Sequence, residues 1–323
     1  MGSSSMLRAL LIIVVALASG AIAPARAGST AAPEELVKSD LVAEMQAVAP
    51  GAVLWVSLHL EMTPGWHTYW RNPGDAGLPT TIDWSLPPGF SAGEIRWPVP
   101  RPLVRGNVGS YGYTGALDLL VPITAPKSLA VSRQATLTAE ASWLVCEDIC
   151  IPGGAKLSLS LPVAPVTPLP DPAVAQRFAA ARRQLPVPAP FETRFTVSGR
   201  NVRLVVPASA FGGLRDPTGI FFPFYDTLID NAGEPRTERR ADGLDIVLKK
   251  SATAAAAPAT LDGVLVLRAH GNVEQAFNIN ANPALALRAE TGPSWWKALF
   301  LAFLGGGVLN AMPCVFPIMS LSS

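Results

Sequence analysis

The sequence predicts a mainly β protein: two immunoglobulin-like β-sandwich domains followed by the start of an α-helical transmembrane domain. Three observations carry this prediction. Apolar and polar residues alternate with the period of two of half-buried strands, most cleanly over residues 54–61 and 137–145. Proline and glycine, 31 and 27 of 323 residues, punctuate these runs as turn formers. Residues 298–319 then run for 22 positions without a charge, enough to cross a bilayer at about 1.5 Å per residue.

Composition sets the frame for the elements. Hydrophobic residues make up 49% of the chain, sufficient for more than one core. A net charge of +1 with 15% charged residues provides neither the basic stripe of a nucleic-acid binder nor a solvating acidic tail. Three cysteines are too few for a disulfide-rich scaffold.

In chain order, residues 1–27 read as a signal peptide. Arg8 supplies the positive start, residues 10–18 the apolar core, and Ala25-Arg26-Ala27 the small-residue cleavage site. Export to an oxidising compartment follows, where a cysteine pair can persist as a disulfide.

Residues 28–165 read as the first β-sandwich. Leu54, Val56, Leu58 and Leu60 share one face of a strand, and another strand covers residues 116–123. Two aromatic stretches, GWHTYWRNPG at 65–74 and RWPVPRP at 96–102 with GSYGY at 109–113, read as irregular loops. They either cover the sandwich edge or cap the cysteines, in which case Trp66, Tyr69, Trp97 or Tyr111 must lie near Cys146. His67, alone or with His59, reads more simply as packed than as a base or copper ligand.

The chemistry concentrates in WLVCEDICIPGG at 143–154. An alternating run ends at Val145, another resumes at Leu157, and Pro152-Gly153-Gly154 has the composition of the turn between them. Cys146 and Cys150 therefore sit at or near a hairpin tip, where a fold-back brings their Cα atoms within the roughly 7 Å that a bridge requires. The pair is a redox dithiol, a structural staple or a zinc half-site. The five-residue loop limits a staple to ~2 kcal/mol in the chain-entropy model, and zinc requires further ligands. Glu147 and Asp148 disfavour a thiolate, which keeps both thiols at or above the ordinary value.

Residues 166–190 form a Pro-rich linker with a short helix at about 173–185, whose Arg177, Arg182 and Arg183 read as a solvated face. Residues 191–287 return to β composition as a second β-sandwich. Its strands are expected at 195–197, 202–206, 220–225, 244–248, 264–269 and 275–279, with Asp226, Asp230 and His270 scattered rather than clustered. Trp295, Trp296 and Lys297 read as interfacial anchors. Residues 295–323 form the first transmembrane helix of a longer membrane domain, cut short, because its glycines and prolines need neighbouring helices to satisfy the backbone.

WLVCEDICIPGG resembles the redox loop of the ScsB-like branch of the DsbD thiol–disulfide interchange family, as does GWHTYWRNPGDAGLPT at 65–80. LNAMPCVFP at 309–317 is similar to the cysteine motif of that family's first transmembrane helix. The resemblance implies a protein-disulfide reductase without cofactor or bound metal. Reducing equivalents would come from cytoplasmic thioredoxin, through the missing membrane domain, and go to periplasmic thioredoxin-fold proteins. Catalysis would rest on Cys146, Cys150 and Cys314. Cys150 would form the mixed disulfide, Cys146 would resolve it, and Cys314 would be one of two membrane cysteines. The implied place is the bacterial inner membrane, with residues 28 to about 294 in the periplasm and links to cytochrome c biogenesis and copper tolerance. The alternatives are a membrane-tethered, non-enzymatic interaction module with a structural disulfide, and a copper-handling module.

Overall fold

The computed structural model describes residues 33–284 except 132, 167, 226–227, 255–257 and 270–273, together with 299–300 and 302–303. The signal peptide, Cys314, Asp226, His270 and the interfacial Trp295, Trp296 and Lys297 lie outside the described residues. Among the described residues no helix is long and apolar enough to cross a membrane.

A short helix α1 (Pro33–Leu36) leads into β1 (Val37–Ala43), β2 (Val53–Met62), β3 (His67–Gly74), β4 (Thr81–Ser85), β5 (Ser91–Ala92), β6 (Arg101–Arg105), β7 (Val108–Thr114), β8 (Ala116–Thr124), β9 (Gln134–Cys146) and β10 (Cys150–Pro162). Two sheets result, one ordered β1-β2-β8-β5 and the other β10-β9-β3-β7-β6 with β4 beside β9. The expected alternation makes them stack. Leu54, Val56, Leu58 and Leu60 of β2 meet Leu137, Ala139, Ala141, Trp143 and Val145 of β9 across shared cores. The expected mainly β architecture is thus the one observed.

Three local expectations are corrected. Pro152-Gly153-Gly154 is not a turn but lies inside β10, and the hairpin turns earlier, at residues 147–149. Proline is tolerated because β10 is an edge strand, paired with β9 alone in the sheet order. Gly153 is required because a Cβ there would strike the Trp143 indole. Of the aromatic stretches read as irregular, residues 67–74 form β3 and 109–113 lie in β7, which forms a hairpin with β6, whereas residues 96–100 are irregular apart from a bridge of Arg96 to Leu120.

The arginines of helix α2 (Pro172–Arg183) are the third correction. The helix starts on an Asp171 cap, whose side chain accepts from Ala173 N–H at 3.0 Å, with proline in its first turn. It then lies on the outer face of the four-stranded sheet, with Phe178 and Ala181 against Leu120 and Trp55. Arg182 donates to both Glu44 oxygens at 2.5 and 2.6 Å. Arg177 Nε donates to Asp118 Oδ1 at 2.8 Å, and Ser57 Oγ donates to the same oxygen at 2.8 Å. Burial pushes the Asp118 carboxyl up, but hydrogen bonds with His59, Arg177 and Ser57 outweigh it and hold it at about 2. A solvated face does not describe these side chains, since two of the three arginines dock the helix.

The second β unit comprises β11 (Val187–Pro188), β12 (Thr193–Ser198), β13 (Asn201–Pro207), β14 (Thr218–Pro223), β15 (Arg236–Arg240), β16 (Gly243–Lys249), β17 (Leu261–Arg268) and β18 (Glu274–Pro283). They form one sheet, ordered β14-β17-β18-β12-β13-β16-β15 with β11 beside β18. Parallel pairing of β12 with β18 joins its two halves, which close over Phe195, Leu204, Ile246, Leu265 and Ile279. Strand β15, almost without apolar residues, was not expected from the sequence.

The two units share a seam. Phe222, Val264 and Val266 point away from their own core and join a cluster containing Trp70, Tyr111 and Trp143. Asn72 Nδ2 donates to Pro223 O at 2.8 Å, and Tyr111 Oη donates to Asn231 Oδ1 at 2.8 Å. Asn231 Nδ2 donates in turn to Asp75 Oδ1 at 2.7 Å. A Cβ at Gly109 would collide with the backbone of Asn231 and Ala232, so the two segments run there at a spacing that needs glycine.

Candidate redox site

The β9–β10 ladder begins on its two sulfur residues. Cys146 faces Cys150 as the first rung, and residues 147–149 form the tip. The Glu147 N–H donates to Ile149 O at 3.1 Å. This rung places the two Cα atoms 4.1 Å apart, and the sulfurs are bonded at 2.05 Å. The partners differ in access: Cys146 is 2% exposed, whereas Cys150 and the tip residues face solvent.

Three neighbours frame the tip. The Tyr69 hydroxyl lies 3.7 Å from Cys150 Sγ, from a ring that is itself buried. Gly65, at φ 93°, backs against Glu147, and a Cβ there would come within 2.5 Å of Glu147 Oε1. Arg105, at the end of β6, donates to Asp148 Oδ1 at 2.7 Å. One of the two carboxylates beside the thiols is therefore answered by a cation, which moderates the charge repulsion read from the sequence.

His67 pairs in register with Cys146 and stands edge-on to Tyr69, ring centroids 5.3 Å apart. Burial, helped by the Arg105 charge, lowers its pKa from the ordinary value and keeps the ring neutral near pH 7. Burial raises the Tyr69 pKa, partly opposed by Arg105, so the phenol stays a potential donor to sulfur.

The structure thus brings together Cys146, Cys150, His67 and Tyr69. It does not bring His59 to them: that ring lies on the other sheet, 3.1 Å from Asp118. Of the four aromatics expected as candidates for a cap, Tyr69 touches the bridge. Tyr111 faces the second unit, and Trp66 and Trp97 pack on the core. Sequence reading missed Arg105, which carries no motif and meets Asp148 through the β6–β7 hairpin. Among the described residues no group of three or more His, Cys, Asp or Glu is arranged to hold a metal ion.

Residues 34–162 match the family model of the N-terminal domain of the thiol:disulfide interchange protein DsbD. Among solved structures, the N-terminal periplasmic domain of ScsB from Proteus mirabilis is similar at 17% identity, covering 77% of this chain and 95% of that one with a TM-score of 0.55. At this identity the likeness is one of fold. A major pilin fragment from Streptococcus agalactiae, at 10% identity, covers 76% of this chain and 91% of that one, but its TM-score of 0.25 carries no argument. No curated protein matches the chain. Residues 34–162 thus carry a DsbD amino-terminal domain, closed around an asymmetric cysteine bridge.

Proposed function

We propose that the chain is a periplasmic protein-disulfide reductase that hands reducing equivalents to thioredoxin-fold partners through Cys146 and Cys150. The equivalents originate with cytoplasmic thioredoxin and arrive through a membrane domain that opens at residues 295–323 and uses Cys314 as one of its cysteines. In the loaded state both thiols are reduced. The Cys150 thiolate attacks one sulfur of the partner's disulfide, and the partner's other sulfur leaves as a thiolate and takes a proton from solvent. Cys146, giving its proton to water, then attacks Cys150 Sγ. The Cys150–partner bond breaks, the partner departs as a dithiol, and the Cys146–Cys150 bridge re-forms. Two electrons and two protons pass to the partner. Reloading by a donor dithiol is the same sequence reversed.

The observation that carries this reading is the unequal access of the two bridged sulfurs, which offers a partner Cys150 and holds Cys146 in reserve. Tyr69 lies where its hydroxyl can donate to a thiolate on Cys150. The test is to trap the intermediate. Cys146→Ser should accumulate a mixed disulfide with a thioredoxin-fold partner, and Cys150→Ser should not. The bridge's reduction potential should lie above about −300 mV. A lower potential without a trapped adduct would leave a structural staple in a tethered interaction module.

A further inference from the structure

Strand β3 carries the Tyr69 that meets the sulfur, yet its own sheet does not hold it along its length. Pairing with β7 runs from His67↔Thr114 to Tyr69↔Gly112 and resumes at Gly74↔Ser110, so the register shifts between Tyr69 and Gly74. The residues between, Trp70 to Pro73, bulge out of the ladder. Their ladder to β7 is lost, although Trp70 still packs on Tyr111 of β7, and they reach the second unit. Trp70 packs on Phe222 and Phe224 with ring centroids 6.2 and 5.8 Å apart, and Arg71 lies 4.5 Å over the Phe224 ring. Asn72 binds the Pro223 carbonyl at 2.8 Å. Beyond the bulge, Asp75 is tied to Asn231 at 2.7 Å, and Gly77 comes so close under the Tyr69 ring that a Cβ would strike it. The segment that follows Tyr69 is therefore fixed from across the seam at two points, Asn72 and Asp75.

We infer that the second β unit positions Tyr69 against the Cys146–Cys150 bridge, with Asn72 and Asn231 as positioning residues at two separate points. This deepens the proposed exchange activity and gives the second unit, which brings no cysteine among its described residues, a part in controlling access to the sulfur. Neither asparagine touches the sulfurs, and their effect passes through the tyrosine.

The test is the rate at which dithiothreitol reduces the bridge in the full chain, which reads access whether or not the protein serves as a reductase. Tyr69→Ala should change this rate. Asn231→Ala and Asn72→Ala, each checked for a cooperative melt, should change it in the same direction by at least about threefold, within the range of coupled neighbours. In a Tyr69→Ala background neither asparagine change should have further effect. The inference is overturned if the folded asparagine variants keep the parent rate, if their effects multiply with that of Tyr69→Ala, or if Tyr69→Ala itself leaves the rate unchanged. Two independent points of attachment keep the test alive should one variant fail to fold. Failure of the proposed function would show instead in the reduction potential and the missing mixed disulfide.

Discussion

Strands β9 and β17 both carry much of the core, but they are buried in different ways. β9 alternates, sending Leu137, Ala139, Ala141, Trp143 and Val145 inward and leaving Ser142, Glu140 and Thr136 outside. β17 presents Val264, Leu265, Val266 and Leu267 in unbroken succession, all buried. Leu265 and Leu267 enter the second unit's own core, and Val264 and Val266 cross into the first unit's. One strand has a wet face and ends in the cysteine-bridged tip, whereas the other has no free face. The bridge sits where the chain is least enclosed, and the two units are joined where it is enclosed on both sides.

That contrast can be broken at either end, and the tip should respond most. Cys150→Ser should abolish disulfide exchange with a thioredoxin-fold partner. The stability cost of losing so short a loop should stay near ~2 kcal/mol by urea unfolding. A much larger cost would mark the bridge as a structural element after all. At the seam, Phe222→Ala should cost about 3–5 kcal/mol, the usual range for a fully buried ring. A loss under about 1 kcal/mol would show that the shared cluster is not part of the packed core.

The docked helix gives a pH-dependent comparison. Asp118 titrates at about 2 when folded, against an ordinary value of 3.8. Its contribution is fully present above pH 3.8 and is lost as the pH falls through 2, amounting to at most about 2 kcal/mol. Asp118→Asn should therefore be less stable than the parent at pH 7 and should show a flatter decline between those limits. Parallel declines would remove Asp118 from the account. The smallest effect concerns the exposed Arg105–Asp148 pair. Asp148→Asn should lower the Cys150 thiol pKa and Arg105→Ala should raise it, each by less than about one unit, while stability moves by no more than about 0.5 kcal/mol. A thiolate absorbance titration in which both variants move the same way would contradict the charge argument.

Much of this was legible in the sequence because period-two alternation reports directly on strands with one wet face. Strands β2, β8, β9 and the β12–β13 hairpin follow from that pattern alone, and the cysteines at a hairpin tip follow from the strands around them. The misreadings share one physical cause, which is tertiary context overriding local composition. Pro152-Gly153-Gly154 has turn chemistry, but an edge strand tolerates the proline and the Trp143 indole needs the glycine. The arginines of α2 have the look of a solvated face, yet Glu44 and Asp118 wait on the sheet beneath. Arg236–Arg240 is too polar to announce a strand and becomes one by pairing with β16. The unbroken apolar runs at 220–224 and 264–267 did carry a signal of burial on two sides, although nothing local names the second partner.

One exposed sulfur also imposes a rule of traffic. On the proposed activity, donor and acceptor must both approach through Cys150, since Cys146 lies beneath it. They cannot be served together: each must vacate the doorway before the other enters. Throughput would then be governed by how quickly visitors leave, and a tightly held partner would act as a plug, competing with the very supply it depends on.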